Sequence, residues 1–378
     1  MIEELPRAAQ PPRAAAGLGR ARGTVGRFTS AQLEQIAFEL DAIGDAVRAD
    51  LGARDAAYVR RVIAAQRVLE ACGRALLAFP RSRSRLAAGA TALTLSKILS
   101  NMEIGHNVMH GQWDWMNDPR IHSSTWEWDA ASTAESWKYS HNFQHHQYTN
   151  VIGKDRDLGY SAMRVEPEQP WHPIYLLQPL YGLLLALVFE WAIALYDMEL
   201  DAVRAGTKSK EQAAREVRAF LHKATTQVAK DVVLYPALSR ARWKATLLAN
   251  VAANVARNIW VHTIVFMGHL PDGAETFTEA EIEDETRGEW YVRQIAGSAN
   301  LDGTRPFHLM TGNLSFQIEH HLFPDVPSNR LKEIAPLVRD VCRRHGLAYN
   351  SGPLGRQYRS VAKRILRLSL PGPRSVNR

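Results

Sequence analysis

Gly312-Asn313-Leu314-Ser315-Phe316-Gln317-Ile318-Glu319-His320-His321-Leu322-Phe323-Pro324 is the stretch from which the rest of the chain is read. Adjacent residues of a helix point about 100° apart. His320 and His321 can therefore serve two neighbouring metal ions instead of chelating one. Gln317 stands three residues earlier, close to the same face. An adjacent His pair arises by chance too often to carry much alone, but two further clusters precede it. His106-Asn107-Val108-Met109-His110 puts two imidazoles on one helix face at i, i+4, a spacing suited to one metal. His141-Asn142-Phe143-Gln144-His145-His146 repeats that pair and adds a third ring. Seven of the fourteen histidines fall in these three clusters. The bland alternative, histidines that titrate near neutrality and bind nothing, explains a single match but not the set.

Composition narrows the field. A chain of 378 residues can bury a large core in one or two domains. A net charge of +7 suits an anionic partner such as a membrane surface, a coenzyme A headgroup or an acidic redox protein. The basic residues are spread along the chain without a nucleic-acid-binding motif. Two cysteines, Cys72 and Cys342, exclude an iron–sulfur cluster, a four-cysteine zinc site and a disulfide framework. Both suit a small buried hydrophobe in a reducing compartment, and the N-terminus lacks the apolar core of a secretory signal.

Residues 1–28, with Arg7, Arg13, Arg20, Arg22 and Arg27, read as a basic disordered arm. Thr29-x-x-Gln32 reads as a capping box. It opens an amphipathic helix on which Leu33, Ile36, Leu40, Ile43 and Val47 recur. A second helix follows from about 54 to 78, and both are expected to pack on the main domain, residues 29–355. Four hydrophobic segments are visible. Val68–Phe79 is short for a membrane span of about twenty residues, and Leu86–Met102 leads into the first His cluster. Pro173–Tyr196 is the strongest, with Glu190 its one charge and Trp171, Tyr175 and Tyr196 placed like interfacial anchors. Ala245–Met267 contains Asn254, Arg257 and Asn258, and an Arg within a span is expected to face a polar interior. The segment 198–244 carries ten Lys or Arg against five Asp or Glu, which places it on the cytoplasmic side. A single crossing at 174–196 conflicts with that, so a hairpin or re-entrant element is one alternative. Mean hydropathy is −0.26, which implies a large water-facing part. Residues 356–378 read as a basic peripheral tail.

The order His-x-x-x-His, His-x-x-x-His-His, Gln-x-x-His-His, closed by Ile318 to Pro324, resembles the membrane fatty acid desaturases. The flanks carry a finer resemblance to actinobacterial acyl-CoA desaturases of the stearoyl-CoA Δ9 type. These are His110–Pro119, Ile121–Trp128, Tyr148-Thr149-Asn150, Gly268-His269-Leu270-Pro271-Asp272-Gly273 and Pro324–Arg330. The resemblance covers roughly residues 30–355.

It implies an all-α integral membrane protein with a helical water-facing cap holding a His-rich di-iron site toward the cytoplasm. It implies O2-dependent insertion of a cis double bond into a fatty acyl chain, as acyl-CoA or acyl-lipid. That chemistry removes hydrogen from an unactivated alkyl chain and needs a redox metal, and imidazole suits iron. The implied iron ligands are His106, His110, His141, His145, His146, His320 and His321. An eighth is expected between the second and third clusters: His269, with His262 as its competitor. Gln317 binds iron weakly, through water or not at all. Asp155 and Asp157 read either as hydrogen-bond partners of ligand imidazoles or as a solvated turn. His122 reads as structural, and His172, His222, His308 and His345 as surface or packing residues. Glu103-x-x-His106 matches one copy of the soluble di-iron carboxylate motif, but no second copy is present. No haem-binding or dinucleotide-binding signature accompanies the clusters, so electrons are expected from a separate ferredoxin- or rubredoxin-type carrier with an NAD(P)H reductase. The competing functions are a related di-iron oxygenase, such as an alkyl or carotenoid hydroxylase, and a non-enzymatic metal- or haem-binding membrane protein.

Overall fold

The computed structural model describes residues 23–80 and 82–372. The N-terminal arm, through residue 22, lies outside the described residues. Helix α1, Ser30–Ala49, begins at the expected capping box: Thr29 Oγ1 accepts from the Gln32 N–H, and Gln32 Oε1 accepts from the Thr29 N–H at 2.9 Å. Its Leu33, Ile36, Leu40 and Val47 are buried in one core with Tyr291, Ile295, Ile318, Phe323, Ile334 and Val338. The amphipathic face thus packs on the body of the protein, as the pattern predicts.

Helices α2, Ala53–Ala78, and α3, Arg83–Leu99, form an antiparallel hairpin. The short limb at Val68–Phe79 is the end of one 26-residue helix. That helix carries charge inward, because Arg74 is buried and donates to Asp231 at 2.8 Å. α3 continues into a π-helical turn, Ser100–His106, and then Asn107–Met109. A second π-helical turn, Lys138–His145, carries the middle cluster. Such turns recur at functional sites because the extra residue re-aims side chains.

Among the described residues no single helix is long and apolar enough to cross a membrane. The strongest hydrophobic segment is two pieces, Pro173–Leu187 and Phe189–Ala205, bent by 95°. Within them lie α4, Gln178–Leu187, and α5, Phe189–Asp197. A continuous span over Pro173–Tyr196 is therefore replaced by a sharp bend at Val188. The reason lies in Glu190: the bend turns the first residues of α5 inward, where the carboxylate pairs with Arg257. Leu176, Leu177, Leu180, Leu183 and Leu184 stay more than half exposed.

After α6, Lys210–Val228, the long helix α7, Trp243–His269, packs against α3 and ends at the site described below. Its Arg257 faces a polar interior, as predicted. Helix α8, Arg287–Ala296, and the short α9, Gln317–Leu322, lie beside one another. α10, Leu331–His345, completes that core. The regular structure of the described residues is helical except for a parallel pair of three-residue strands, β1 (Asn300–Asp302) and β2 (Ser351–Pro353), and an isolated bridge between Val151 and Phe277.

The basic C-terminal segment is not a peripheral tail through Ser369. Leu354–Ser369 forms helix α11, with Val361 and Leu368 buried, Arg364 paired with Glu166, and Ser369 O accepting from Trp171 Nε1 at 3.0 Å. Its arginines mark one face of an amphipathic helix, which net charge alone does not reveal.

Candidate metal centre

Each cluster reaches the centre on a different element. His106 and His110 come from the end of α3 and its π turn, and His141, His145 and His146 from the second π turn. His269 ends α7, and His320 and His321 lie on α9. The loop before α9 sits directly on the first cluster. Gly312 holds φ +68°, a Cβ there would lie 2.6 Å from Met102 O, and Asn107 Nδ2 donates to Gly312 O at 3.2 Å. A larger residue would lift the third cluster off the first.

The eight rings divide into two groups. One ligand nitrogen from each of His106, His110, His141 and His320 lies within 4.8 Å of the others, and the same holds for His145, His269 and His321. His146 stands between them, its ring 4.6 Å from that of His110, 4.8 Å from that of His320 and stacked at 4.3 Å on that of His321. Adjacent His320 and His321 thus belong to different groups, as their helical separation predicts. His141 joins the first group and His145 the second, so the middle cluster reaches both. His141 and His145 also approach Asp157 as a third set.

Outer partners fix most of the rings. Asn107 Oδ1 is 3.0 Å from His106 Nδ1, Asp157 Oδ2 is 2.9 Å from His141 Nδ1, and Asp155 Oδ1 is 2.9 Å from His145 Nδ1. Gly297 O is 3.3 Å from His269 Nδ1, while Thr149 Oγ1 and Gln294 Oε1 are each 3.1 Å from His321 Nδ1. An acceptor on Nδ1 holds the proton there and leaves Nε2 as a ligand. Asp155 and Asp157 are thus hydrogen-bond partners of imidazoles, not a solvated turn.

Inward nitrogens lack such partners. His110 Nε2, His146 Nδ1 and Nε2, His320 Nδ1 and Nε2, and His321 Nε2 are buried with no hydrogen bond, and His106 Nε2 faces His141 Nε2 at 3.2 Å. A buried polar atom left unpaired costs about 1–3 kcal/mol. Cations between the rings would take one nitrogen of each ring, so the donor set fits two metal ions. Burial pushes His106 down to about 4, and burial with neighbouring imidazoles pushes His110, His141, His146, His320 and His321 well below the ordinary histidine range. The rings are therefore held neutral, the ligating form. His145 moves the other way: burial lowers it, but the Asp155 carboxylate outweighs that.

The remaining candidates fall outside. His262 stacks on Phe266 at 4.0 Å and joins neither group. His122 bonds Ser124 Oγ at 2.8 Å, His172 caps Ile174, and His345 bonds Glu39. His308 is half-buried and bonds Ser315 Oγ at 2.7 Å. Glu103 and Glu319 turn away from the rings: Glu103 accepts from Tyr58, Asn313 and Ser328, and Glu319 from Asn300 and Tyr349. The carboxylate motif therefore contributes nothing here. Gln317 places Nε2 3.0 Å from His269 Nε2 while its Oε1 has no partner. Sequence reasoning missed Asn107 and Gln294 as partners of the rings. It also missed Asn150, which donates to His269 O at 3.2 Å and to Gly297 O at 2.9 Å. Asn107 had a signal in its place beside His106; the other two had none.

A cavity meets the rings, with His106, His141, His145 and His269 in its wall beside Trp128, Trp137, Phe189, Val261 and Leu314. Trp137 also stacks on His141 at 4.4 Å.

The family model described as "Fatty acid desaturase" matches residues 84–353. The "NADPH-dependent stearoyl-CoA 9-desaturase" of Mycobacterium tuberculosis is 49% identical over 348 residues, 91% of this chain and 82% of that protein. The "sn-1 linoleoyl-lipid 6-desaturase" of Synechocystis is 28% identical over 275 residues, 70% of this chain and 75% of that protein. Human "Fatty acid desaturase 3" is 29% identical over 229 residues, 58% of this chain and 47% of that protein.

Proposed function

The chain belongs to the fatty acid desaturase family, and from that premise we propose that it is an O2-dependent acyl-CoA desaturase that places a cis Δ9 double bond. The observation that carries this reading is the division of the buried histidines into two facing groups at one wall of a largely apolar cavity. His106, His110, His141 and His320 would hold one iron and His145, His269 and His321 the other, with His146 between them. Bound iron supplies the oxidising power to take hydrogen from an unactivated alkyl chain with O2, which no side chain provides.

The chain's own residues prepare that chemistry. Asp155, Asp157, Asn107 and Gly297 O orient the imidazoles through Nδ1. Trp128, Trp137, Phe189, Ile193, Val261, Val265 and Leu314 give the acyl chain an apolar path past the rings. Acyl-CoA and the Δ9 position are favoured because the mycobacterial relative, at 49% identity, is named for stearoyl-CoA and position 9. Electrons come from a separate acidic ferredoxin- or rubredoxin-type carrier reduced from NAD(P)H, in keeping with the +7 charge. The exposed leucines of the bent segment seat the protein in a membrane, with the His clusters toward the cytoplasm.

The test is expression in a host with a compatible reductase, followed by mass spectrometry of derivatised fatty acids. A new Δ9 monoene, absent from a His320→Ala/His321→Ala variant, is expected. A hydroxylated product would replace this reading with a hydroxylase.

A further inference from the structure

The cavity that meets the histidines ends on charge. Helix α7 lines it with His269, Val265, Val261 and then Arg257 with Asn258. The first four stand at four-residue intervals, so Arg257 lies about 18 Å along the helix from His269 at 1.5 Å per residue. Helix α5 lines the facing side with Ile193, Phe189 and Glu190. One turn further along α7, Ala253 and Asn254 do not reach the cavity. Asn254 instead donates to Asp231, which also binds Lys97 and Arg74. Between the histidines and Arg257 the α7 and α5 lining is apolar, and the last rung on α7 is an ion pair.

That pair is buried. Arg257 is 1% exposed and binds Glu190, which also accepts from Gln227 Nε2 at 2.9 Å. Arg257 Nη1 reaches Asp129 O at 3.4 Å. Arg257 Nε and Asn258 Oδ1 are buried without a partner. An alkyl terminus gains by covering apolar wall, but at this rung it would press on unpaired polar atoms and reach further only by parting a buried ion pair.

We infer that the Glu190–Arg257 pair, with Asn258, is the floor of the acyl cavity and sets the longest saturated chain the protein accepts. This rests on the acyl-chain reading of the cavity. It assigns chain-length selection to a salt link between α5 and α7. Glu190 and Arg257 are specificity residues that act at the far end of the chain from the reacting carbons.

The experiment measures competition of saturated acyl-CoAs of increasing length against a fluorescent acyl probe, using the detergent-solubilised full chain. It needs no turnover. In the wild type, affinity rises with length and then falls sharply. Glu190→Leu/Arg257→Met removes both charges at similar volume, which avoids stranding one of them; it should move the fall to longer chains. Val261→Phe, one turn nearer the histidines, should move it to shorter chains. A chain just past the wild-type limit should gain roughly tenfold or more in the double variant, the scale of one methylene in an apolar pocket. If the length limit stays put in the double variant, or in Val261→Phe should the double variant not fold, the floor is elsewhere and the inference is overturned. A wild type that shows the length limit and its shifts but forms no monoene refutes the desaturase reading and leaves the floor intact.

Discussion

Asp155 Oδ1 lies 2.9 Å from Nδ1 of His145, and its second oxygen accepts the Asn150 N–H at 2.7 Å. One buried carboxylate therefore ties a proposed iron ligand to the turn that also supports His269, because Asn150 donates to His269 O. Asp155→Asn would keep the shape and lose the charge. Loss of such an outer partner typically weakens metal affinity about 10–100-fold. Iron titration of the apoprotein should show this loss for the second group, while the first group keeps its affinity.

Two histidines on α7 separate the alternatives for the eighth ligand. His269→Ala should lower bound iron from two per chain to one. His262→Ala should leave iron content unchanged, because its ring stacks on Phe266 and faces neither group. Elemental analysis of the two purified variants checks this.

Glu103 tests whether a carboxylate takes part. Burial raises it to about 7, and Tyr58, Asn313 and Ser328 donate to it. Glu103→Gln should retain full iron content. Glu103→Ala strands these donors and should cost roughly 1–3 kcal/mol in unfolding free energy. Chemical denaturation alongside iron analysis distinguishes a structural group from a ligand.

The apoprotein should weaken in mild acid. His106 is held to about 4 by burial, against 6.5 for an exposed ring. A lowered histidine means that the unfolded chain takes the proton first, so stability is intact above pH 6.5 and falls as pH drops toward 4. His106 alone contributes about 3 kcal/mol over that window, and the other lowered rings add in the same direction. Thermal melts of apoprotein between pH 7 and pH 4 check the sign. Iron-loaded protein should resist until protons displace the metal.

Much of the site was legible because ligand residues are chemically rare and closely spaced. With the other two clusters beside them, His320 and His321 pointed by their helical separation to two groups of rings. That His141 and His145 reach different groups as well as a shared set with Asp157 was not legible, because i, i+4 logic presumes an α-helix and Lys138–His145 is a π turn. Asn150 and Gln294 act through tertiary contacts that leave no local pattern. The bent pair Pro173–Leu187 and Phe189–Ala205 fits the hairpin or re-entrant alternative; the place of the bend was not legible, because hydropathy averages over Pro173–Tyr196 and cannot register that Glu190 turns inward to Arg257. The C-terminal helix was masked by its own charge, since Val361 and Leu368 recur among arginines.

The most direct test of the central claim is iron per chain in the wild type, His320→Ala and His321→Ala, measured with the ultraviolet–visible spectrum to exclude haem. Two non-haem irons are expected in the wild type and about one in each single variant. A wild type that is folded but holds a single iron, or haem, would contradict the two-group metal centre.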